Sequence, residues 1–145
     1  MKTVNEMRLV FDSKSVNERF SRVAVGSFIS CLDPTVEELT DIKTAVSEAV
    51  TNCIVHGYRE KMGKIYITVS MTENNTVKIR IRDKGVGIED IQQAMTPLFT
   101  TSSDERSGLA FSVMESFMDK VRVVSKPQKG TTVTLIKAIG GKSAK

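Results

Sequence analysis

The chain has 145 residues, of which 40% are hydrophobic and 26% are charged, and its formal net charge is +4. This length predicts one domain, and the composition predicts an ordinary buried core and excludes an intrinsically disordered chain. No apolar run reaches the length of a membrane span, and the N-terminal residues are too polar for a signal peptide. We therefore expect a cytoplasmic protein without membrane contact.

The positive charge is concentrated near the C-terminus. Residues 120–145 contain seven basic and no acidic side chains, so the first 119 residues carry 14 basic against 17 acidic ones. Basic residues that are not interleaved with aromatic ones favour a solvated surface, and we expect no direct contact with nucleic acid. Cys31 and Cys53 lack the spacing of a metal site, which predicts two buried free thiols.

The first half of the chain predicts one strand and two helices. Residues 7–11 alternate as in a strand, and residues 16–29 have the helical spacing of apolar residues. The apolar residues that we expect this first helix to bury are Phe20, Val23, Ala24 and Phe28. After a break at Asp33 and Pro34, a longer helix is predicted over residues 36–55.

The second half predicts strands in hairpin pairs, separated by helical and polar segments. In chain order the predictions are strands 65–71 and 77–81, a short helix 89–95, a polar segment 96–106, a buried helix 108–118 and terminal strands 121–124 and 131–136. Paired strands predict an α+β fold, a two-layer α/β sandwich with a mixed, mainly antiparallel sheet and its helices on one face. We expect this domain to span residues 1–139 and to leave a frayed basic tail over 140–145.

Glu48 and Asn52 lie one turn apart on the predicted second helix, at the edge of its apolar arc. An amide oxygen such as that of Asn52 can bind a divalent cation. A carboxylate such as that of Glu48 can deprotonate an attacking group. The same pair also fits the polar flank of an ordinary amphipathic helix.

Asp83, Gly85 and Gly87 follow an apolar strand. An aspartate that leaves a strand can accept a hydrogen bond from the exocyclic amine of a purine, and glycines permit close backbone approach. A simple turn between strand and helix fits these three residues equally well. Together with Glu48 and Asn52, however, they could hold a metal–triphosphate and a purine base in one cleft, so we expect a nucleotide-binding protein.

Arg106, Ser107 and Gly108 stand just before the start of the predicted helix that follows the polar segment. Backbone N–H groups at a helix N-terminus and an arginine favour phosphate. The Thr/Ser-rich stretch before them, centred on Thr100 and Thr101, could be a lid over the nucleotide, and a flexible linker fits it as well.

These motifs resemble those of the GHKL superfamily of ATPases and kinases, with residues 48–52 as its N box, 83–87 as its first glycine box and 106–108 as its second. Within it, the chain is most similar to the bacterial anti-sigma-factor kinases, in the group that controls sporulation. The segments that carry this narrower resemblance are residues 32–35, 47–52, 56–58, 97–101, 105–108 and 114–119. The resemblance covers nearly the whole chain.

The resemblance implies a homodimeric domain that binds ATP or ADP with Mg²⁺, sequesters a sigma-F-type sigma factor and phosphorylates a serine of an anti-anti-sigma protein. By match to the family motifs, Glu48 is the general base, Asn52 the Mg²⁺ ligand and Asp83 the residue that reads adenine. The further nucleotide contacts that the match implies are Gly85, Gly87, Thr100, Thr101, Arg106, Ser107, Gly108 and Thr131.

Two positions depart from the family pattern. Ala110 replaces a usual glycine, and the stretch between Thr101 and Glu105 is one residue shorter than expected. Family analogy and charge together predict that Arg22, on the first helix, and Glu105 contact the sigma factor.

Three other functions fit parts of this pattern. They are the related kinase of the general-stress sigma factor, an anti-sigma module that binds nucleotide without phosphoryl transfer, and the catalytic domain of a histidine kinase. The last needs an acceptor histidine on a dimerising helix, whereas His56, the one histidine of the chain, lies at the end of the N-box helix.

Overall fold

The computed structural model describes residues 2–59, 61–88 and 102–141, and for residues 102–109 it describes the backbone alone. In this part of the chain there are five strands and three α-helices. In chain order they are β1 Thr3–Asp12, α1 Val16–Ile29, α2 Val36–Asn52, β2 Lys64–Thr72, β3 Thr76–Asp83, α3 Ser102–Phe117, β4 Lys120–Lys126 and β5 Gly130–Ala138. A 3₁₀ turn, Ser30–Leu32, follows α1, and a π-helical turn, Cys53–Gly57, continues α2.

The five strands form one sheet in the order β1-β2-β3-β5-β4, and each neighbouring pair among them is antiparallel. The predicted α+β class and both predicted hairpins are confirmed. In the β2–β3 turn Asn75 has φ 60, a left-handed conformation that asparagine tolerates better than most residues. The register brings Asp83, the last residue of β3, opposite Thr131 at the start of β5.

One face of the sheet is covered and the other is open. Alternate residues of β2 and β3, including Ile65, Ile67 and Ile79, are fully or almost fully buried. They share one core cluster with Ala45, Ala49 and the other inward residues of α2. The residues between them point to the opposite, solvent side, so the helices lie on one face as predicted.

The capping box of α2 fixes where this helix begins. Thr35 Oγ1 accepts a hydrogen bond from the backbone N–H of Glu38 at 3.0 Å, and Glu38 Oε1 accepts one from the backbone N–H of Thr35 at 2.9 Å. Such reciprocal bonds satisfy donors that the first helical turn leaves unpaired. They set the start of the helix that carries Glu48 and Asn52.

The predicted inward face of α1 is wrong at Phe20 and Val23, whereas Phe28 packs against the core as predicted and Ala24 is half-buried. Phe20 and Val23 are 50% and 51% exposed, whereas the buried positions are Ser21, Val25, Gly26 and Ile29. The helix packs closely on α2, and a Cβ on Gly26 would lie 2.8 Å from Lys43 Cε. The small residues Ser21 and Gly26 permit this approach, and the apolar residues Val25 and Ile29 are buried on the same face.

Four other predictions need correction or cannot be followed. Helix α3 begins at Ser102, so residues 102–106, predicted as aperiodic, are helical. Cys31 is exposed and only Cys53 is buried. The chain is still anchored at the predicted start of the tail, because Gly140 and Gly141 donate backbone hydrogen bonds to Glu38 at 2.7 and 3.1 Å. The predicted helix 89–95 lies outside the described residues.

None of the helices in the described residues combines the length and the apolar composition that crossing a membrane requires.

Candidate nucleotide site

On helix α2, Glu48 and Asn52 line two different depressions of the surface. Glu48 is half-buried and lines a polar groove of about 260 Å³ between α1 and α2. Asn52, one turn later, lines a small cavity between α2 and the sheet. The predicted pair is thus on one helix, but the carboxylate and the amide border neighbouring spaces rather than the same one.

The groove beside Glu48 is held by a hydrogen-bonded cluster between the two helices. Glu18 Oε1 accepts a hydrogen bond from Arg22 Nε at 3.1 Å and another from the Ser47 hydroxyl. Arg22 and Lys43 add two cations to the lining. Glu18 therefore faces α2 and not solvent, and Arg22 is held in an ion pair along α1.

The cavity beside Asn52 gathers several predicted site residues. Its volume is about 40 Å³, and its lining consists of Ala49, Asn52, Cys53, His56, Gly57, Asp83, Gly87, Ile88, Phe111, Thr131 and Val133. Asn52 Nδ2 is buried and has no hydrogen-bond partner among the described residues. A buried amide without a partner costs free energy, so a polar ligand in this cavity would be favoured.

Asp83 lies at the floor of this cavity and is 4% exposed. Its Oδ1 accepts a hydrogen bond from the backbone N–H of Gly85 at 2.9 Å. Burial raises the pKa of Asp83 above its usual value, and the hydrogen bond from the backbone N–H of Gly85 opposes the rise. The result is a buried acceptor whose orientation is fixed by the turn that follows β3.

Gly85 and Gly87 are required by the protein's own backbone. A Cβ on Gly85 would lie 2.0 Å from the carbonyl oxygen of Gly57. Gly87 has φ 75, and a Cβ there would lie 2.1 Å from the carbonyl oxygen of Lys126. The turn after β3 is therefore packed between the π-helical turn and the β4–β5 hairpin. Of the two glycines, Gly87 lines the cavity.

Thr131 is placed beside Asp83, and it has a partner that sequence reasoning missed. Its Oγ1 lies 2.7 Å from Ser125 Oγ. Ser125 Oγ in turn accepts a hydrogen bond from the backbone N–H of Ile88 at 2.7 Å. Ser125 thereby ties the edge of the cavity to β4. Nothing in the sequence marks it, because its partners come from two other segments, the turn after β3 and the start of β5.

The remaining predicted contacts are only partly described. Thr100 and Thr101 lie outside the described residues, as does the segment before them. Arg106, Ser107, Gly108 and Glu105 lie within α3, and their side chains are not described. Because α3 begins at Ser102, the backbone N–H groups of 106–108 are inside the helix rather than at its free N-terminus. Ala110 is buried in α3.

The donor set of the cavity fits a purine nucleotide better than a metal held by protein alone. Among the described residues there is no group of three His, Cys, Asp or Glu side chains that could hold a metal ion. The lining instead offers one carboxylate, one amide, the polar side chains of His56 and Thr131, and apolar walls. The cavity is smaller than a purine ring, so a base would have to widen it. Ile88 is the one apolar residue of the lining that is not fully buried.

Comparisons with known proteins show the family of the chain. Residues 14–137 match the family described as the histidine kinase-like ATPase domain. An anti-sigma F factor of Bacillus subtilis (strain 168) is 54% identical over 142 residues, which cover 97% of both chains. An anti-sigma F factor of Thermoanaerobacter pseudethanolicus is 54% identical over 141 residues, covering 97% of this chain and 98% of the relative.

Two solved structures share the fold at low identity. The RsbU and RsbW domains of Rv1364c from Mycobacterium tuberculosis superpose with a TM-score of 0.68 at 18% identity, covering 94% of this chain and 32% of that one. A histidine kinase domain of Erythrobacter litoralis EL346 gives a TM-score of 0.56 at 17% identity, over 85% of this chain and 61% of that one.

Proposed function

Since this chain belongs to the family of histidine-kinase-like ATPase domains, we propose that it is an anti-sigma factor and an ATP-dependent protein-serine kinase. It binds a sigma factor of the sigma-F type and phosphorylates a serine of an anti-anti-sigma protein, and so controls transcription during sporulation. The observation that carries the proposal is the 54% identity to anti-sigma F factors over 97% of the chain. The family itself supports ATP and ADP as ligands.

In this proposal the base of ATP occupies the cavity floored by Asp83, whose carboxylate accepts a hydrogen bond from the adenine amine. Asn52 lies in the same cavity and would hold Mg²⁺ through its amide oxygen. Mg²⁺ would neutralise charge on the phosphates when bound. The unpartnered Asn52 amide supports a polar ligand at this place. Thr131, Gly85 and Gly87 line the nucleotide in the same proposal, together with Thr100, Thr101, Arg106, Ser107 and Gly108.

The phosphoryl transfer would take place between the two depressions that α2 separates. The acceptor serine enters from the groove, and its hydroxyl oxygen attacks the γ-phosphorus as the bond to the β–γ bridging oxygen breaks. Glu48 takes the serine proton, and ADP leaves. The position of Glu48 in the groove, one turn from Asn52, supports this arrangement. Most of the rate enhancement would come from positioning and charge neutralisation.

Two charged residues, Arg22 and Glu105, are the proposed contacts with the protein partner. We place Arg22 and Glu105 in contact with the sigma factor and take the active form to be a homodimer. Arg22 Nε donates a hydrogen bond to Glu18 Oε1 at 3.1 Å, and the Arg22 side chain lines the same groove as Glu48. A partner bound there would lie beside the catalytic residue.

The test is transfer of labelled phosphate from ATP to an anti-anti-sigma protein, with sigma binding measured on the same preparation. Glu48→Gln should lower the rate by a factor on the order of 10²–10⁴. It should leave ADP affinity unchanged, since Glu48 does not line the base cavity. Glu37→Gln, an exposed change on the same helix, is the matched control.

Two results would contradict the proposal in different ways. A wild-type protein that binds sigma and ATP but transfers no phosphate would be a binding module. An active Glu48→Gln protein would show that another group takes the proton.

A further inference from the structure

The polar groove between α1 and α2 runs along both helices, which are antiparallel there. At one end, Glu18 of α1 accepts a hydrogen bond from the Ser47 hydroxyl of α2. At the other end, a Cβ on Gly26 of α1 would lie 2.8 Å from Lys43 Cε of α2. Glu48 therefore belongs to the first end of the groove, next to Ser47, and Lys43 lies at the second.

Lys43 is the cation of the groove lining that has no counter-charge. Arg22, the other cation, donates to Glu18 at 3.1 Å. Lys43 forms no ion pair with any residue that the structure describes. Its side chain is half-buried, so the ammonium group has lost part of its contact with water. A carboxylate bound to it would compensate for this loss.

The stem of the Lys43 side chain is held by the close approach of the two helices. It lies over Gly26, where the absence of a side chain leaves room for it. Lysine commonly buries its methylene groups against a protein surface and keeps the ammonium near water. A side chain that is already packed loses less conformational entropy on binding than one on an open surface. A ligand would therefore meet an ordered cation.

The spacing of Lys43 and Glu48 along α2 sets where that ligand lies. The two residues are five positions apart, which corresponds to a rise of about 7.5 Å along the helix axis. An extended peptide covers about 3.3 Å per residue. A carboxylate bound to Lys43 would thus lie about two residues from a serine whose proton Glu48 takes.

We propose that Lys43 is a specificity residue of the groove, and that it binds an acidic side chain within about two residues of the acceptor serine of the anti-anti-sigma protein. This inference rests on the proposed kinase function, with the groove as the path by which the serine enters. The acidic residues of the groove lining, Glu18 and Glu48, both lie at its other end. The substrate therefore supplies the counter-charge of Lys43.

The experiment measures steady-state transfer of labelled phosphate from ATP to the purified anti-anti-sigma protein. Lys43→Met keeps a stem over Gly26 and removes the charge. It should raise KM for the acceptor protein by about threefold to tenfold, between the effects of an exposed and a buried ion pair. The kcat and the KM for ATP should not change, because Lys43 does not line the base cavity and binds a part of the substrate that does not react.

Two further variants of the kinase act as controls. Lys43→Arg keeps the positive charge and should retain most of the wild-type KM for the acceptor protein. Lys14→Gln removes an exposed cation just before α1, outside the groove lining, and should leave this KM unchanged.

Changes in the substrate identify the partner of Lys43. Each acidic residue within about two positions of the acceptor serine is replaced singly by its amide. One of these replacements should raise KM for the wild-type kinase as much as Lys43→Met does. Combined with Lys43→Met, the same replacement should add little, because the interaction is already lost.

Three outcomes overturn the inference and can be told apart. A wild-type KM in Lys43→Met, or fully additive effects of the kinase and substrate changes, would exclude the ion pair and leave the kinase function intact. A lower kcat at unchanged KM would show that Lys43 acts on the reaction and not on recognition of the acceptor. A wild-type protein that transfers no phosphate would remove the proposed kinase function, and the role of Lys43 with it.

Discussion

Asp83 is the residue on which the proposed recognition of the base depends. Its carboxylate is almost fully buried, and this burial raises its pKa. Burying a charged group costs free energy, so an aspartate that only ended a strand would gain no stability from being buried. Asp83→Asn replaces an acceptor-only group by one that also donates. We expect ADP affinity to fall by about 1–3 kcal/mol, because a buried hydrogen bond to a charged acceptor is lost.

Titration with ADP checks this value, and Glu73→Gln, an exposed change in the β2–β3 turn, is the control. An Asp83→Asn protein with wild-type affinity and an unchanged melting temperature would exclude Asp83 from the site. A variant that loses affinity only because it unfolds is recognised by its circular dichroism spectrum.

At the scale of the element, Glu38 links the start of α2 to the end of the chain. Its carboxylate accepts hydrogen bonds from the backbone N–H groups of Thr35, Gly140 and Gly141. Burial raises the pKa of Glu38, but the bond from Thr35 and those from the two glycines outweigh it, and the pKa is lowered overall. Glu38→Ala should lower the free energy of unfolding by about 1–2 kcal/mol, the usual cost of a lost cap.

Urea unfolding measures that loss, and Glu37→Ala, in the same turn of α2 but exposed, should cost much less. A folded-state pKa below the unfolded one contributes stability that is present above the unfolded value of 4.5 and lost as pH falls through the folded pKa. The difference between wild type and Glu38→Ala should therefore shrink below about pH 4.5. Equal losses in both variants, or a difference that grows in acid, would contradict this account.

At the scale of the whole molecule, the open face of the sheet is strongly cationic. Exposed basic side chains there include Lys78, Arg80 and Arg82 on β3 and Lys120 and Arg122 on β4. The register places Arg80 and Arg122 on either side of Thr134. At the usual strand spacing they are about 10 Å apart, within the screening length of dilute salt. None of these five residues makes an ion pair within the described parts of the chain.

Mutual repulsion on this face predicts that salt stabilises the protein. Raising the salt concentration from about 0.01 M to about 1 M shortens the screening length from about 30 Å to about 3 Å. The free energy of unfolding should rise over this range by up to about 1 kcal/mol. Arg80→Gln should reduce the rise, whereas Arg19→Gln, on the exposed side of α1, should leave it unchanged. A stability that falls with salt would show that attractive pairs dominate instead.

The sequence by itself determined the order of the elements, the antiparallel hairpins and the residues of the two central motifs. Apolar residues stand at every second position of residues 65–71 and 77–81. This alternation is typical of strands with one covered face, and the structure has such strands there. The family could also be predicted from the sequence, because Glu48, Asn52 and Asp83 stand at the spacings of its motifs. The identity and spacing of these residues can be read without the fold.

The tertiary structure alone decided which faces meet and what surrounds each site residue. Phe20 and Val23 are exposed although they are apolar, whereas Gly26 lies where α1 packs on α2. The cationic sheet face consists of basic residues of β3 and of the C-terminal strand β4. These strands are distant in the sequence, and pairing through β5 brings them together. Ser125 bonds both Thr131 and the backbone N–H of Ile88, which stands 37 positions earlier in the chain. Contacts of this kind arise from packing between distant segments, and no local pattern specifies them.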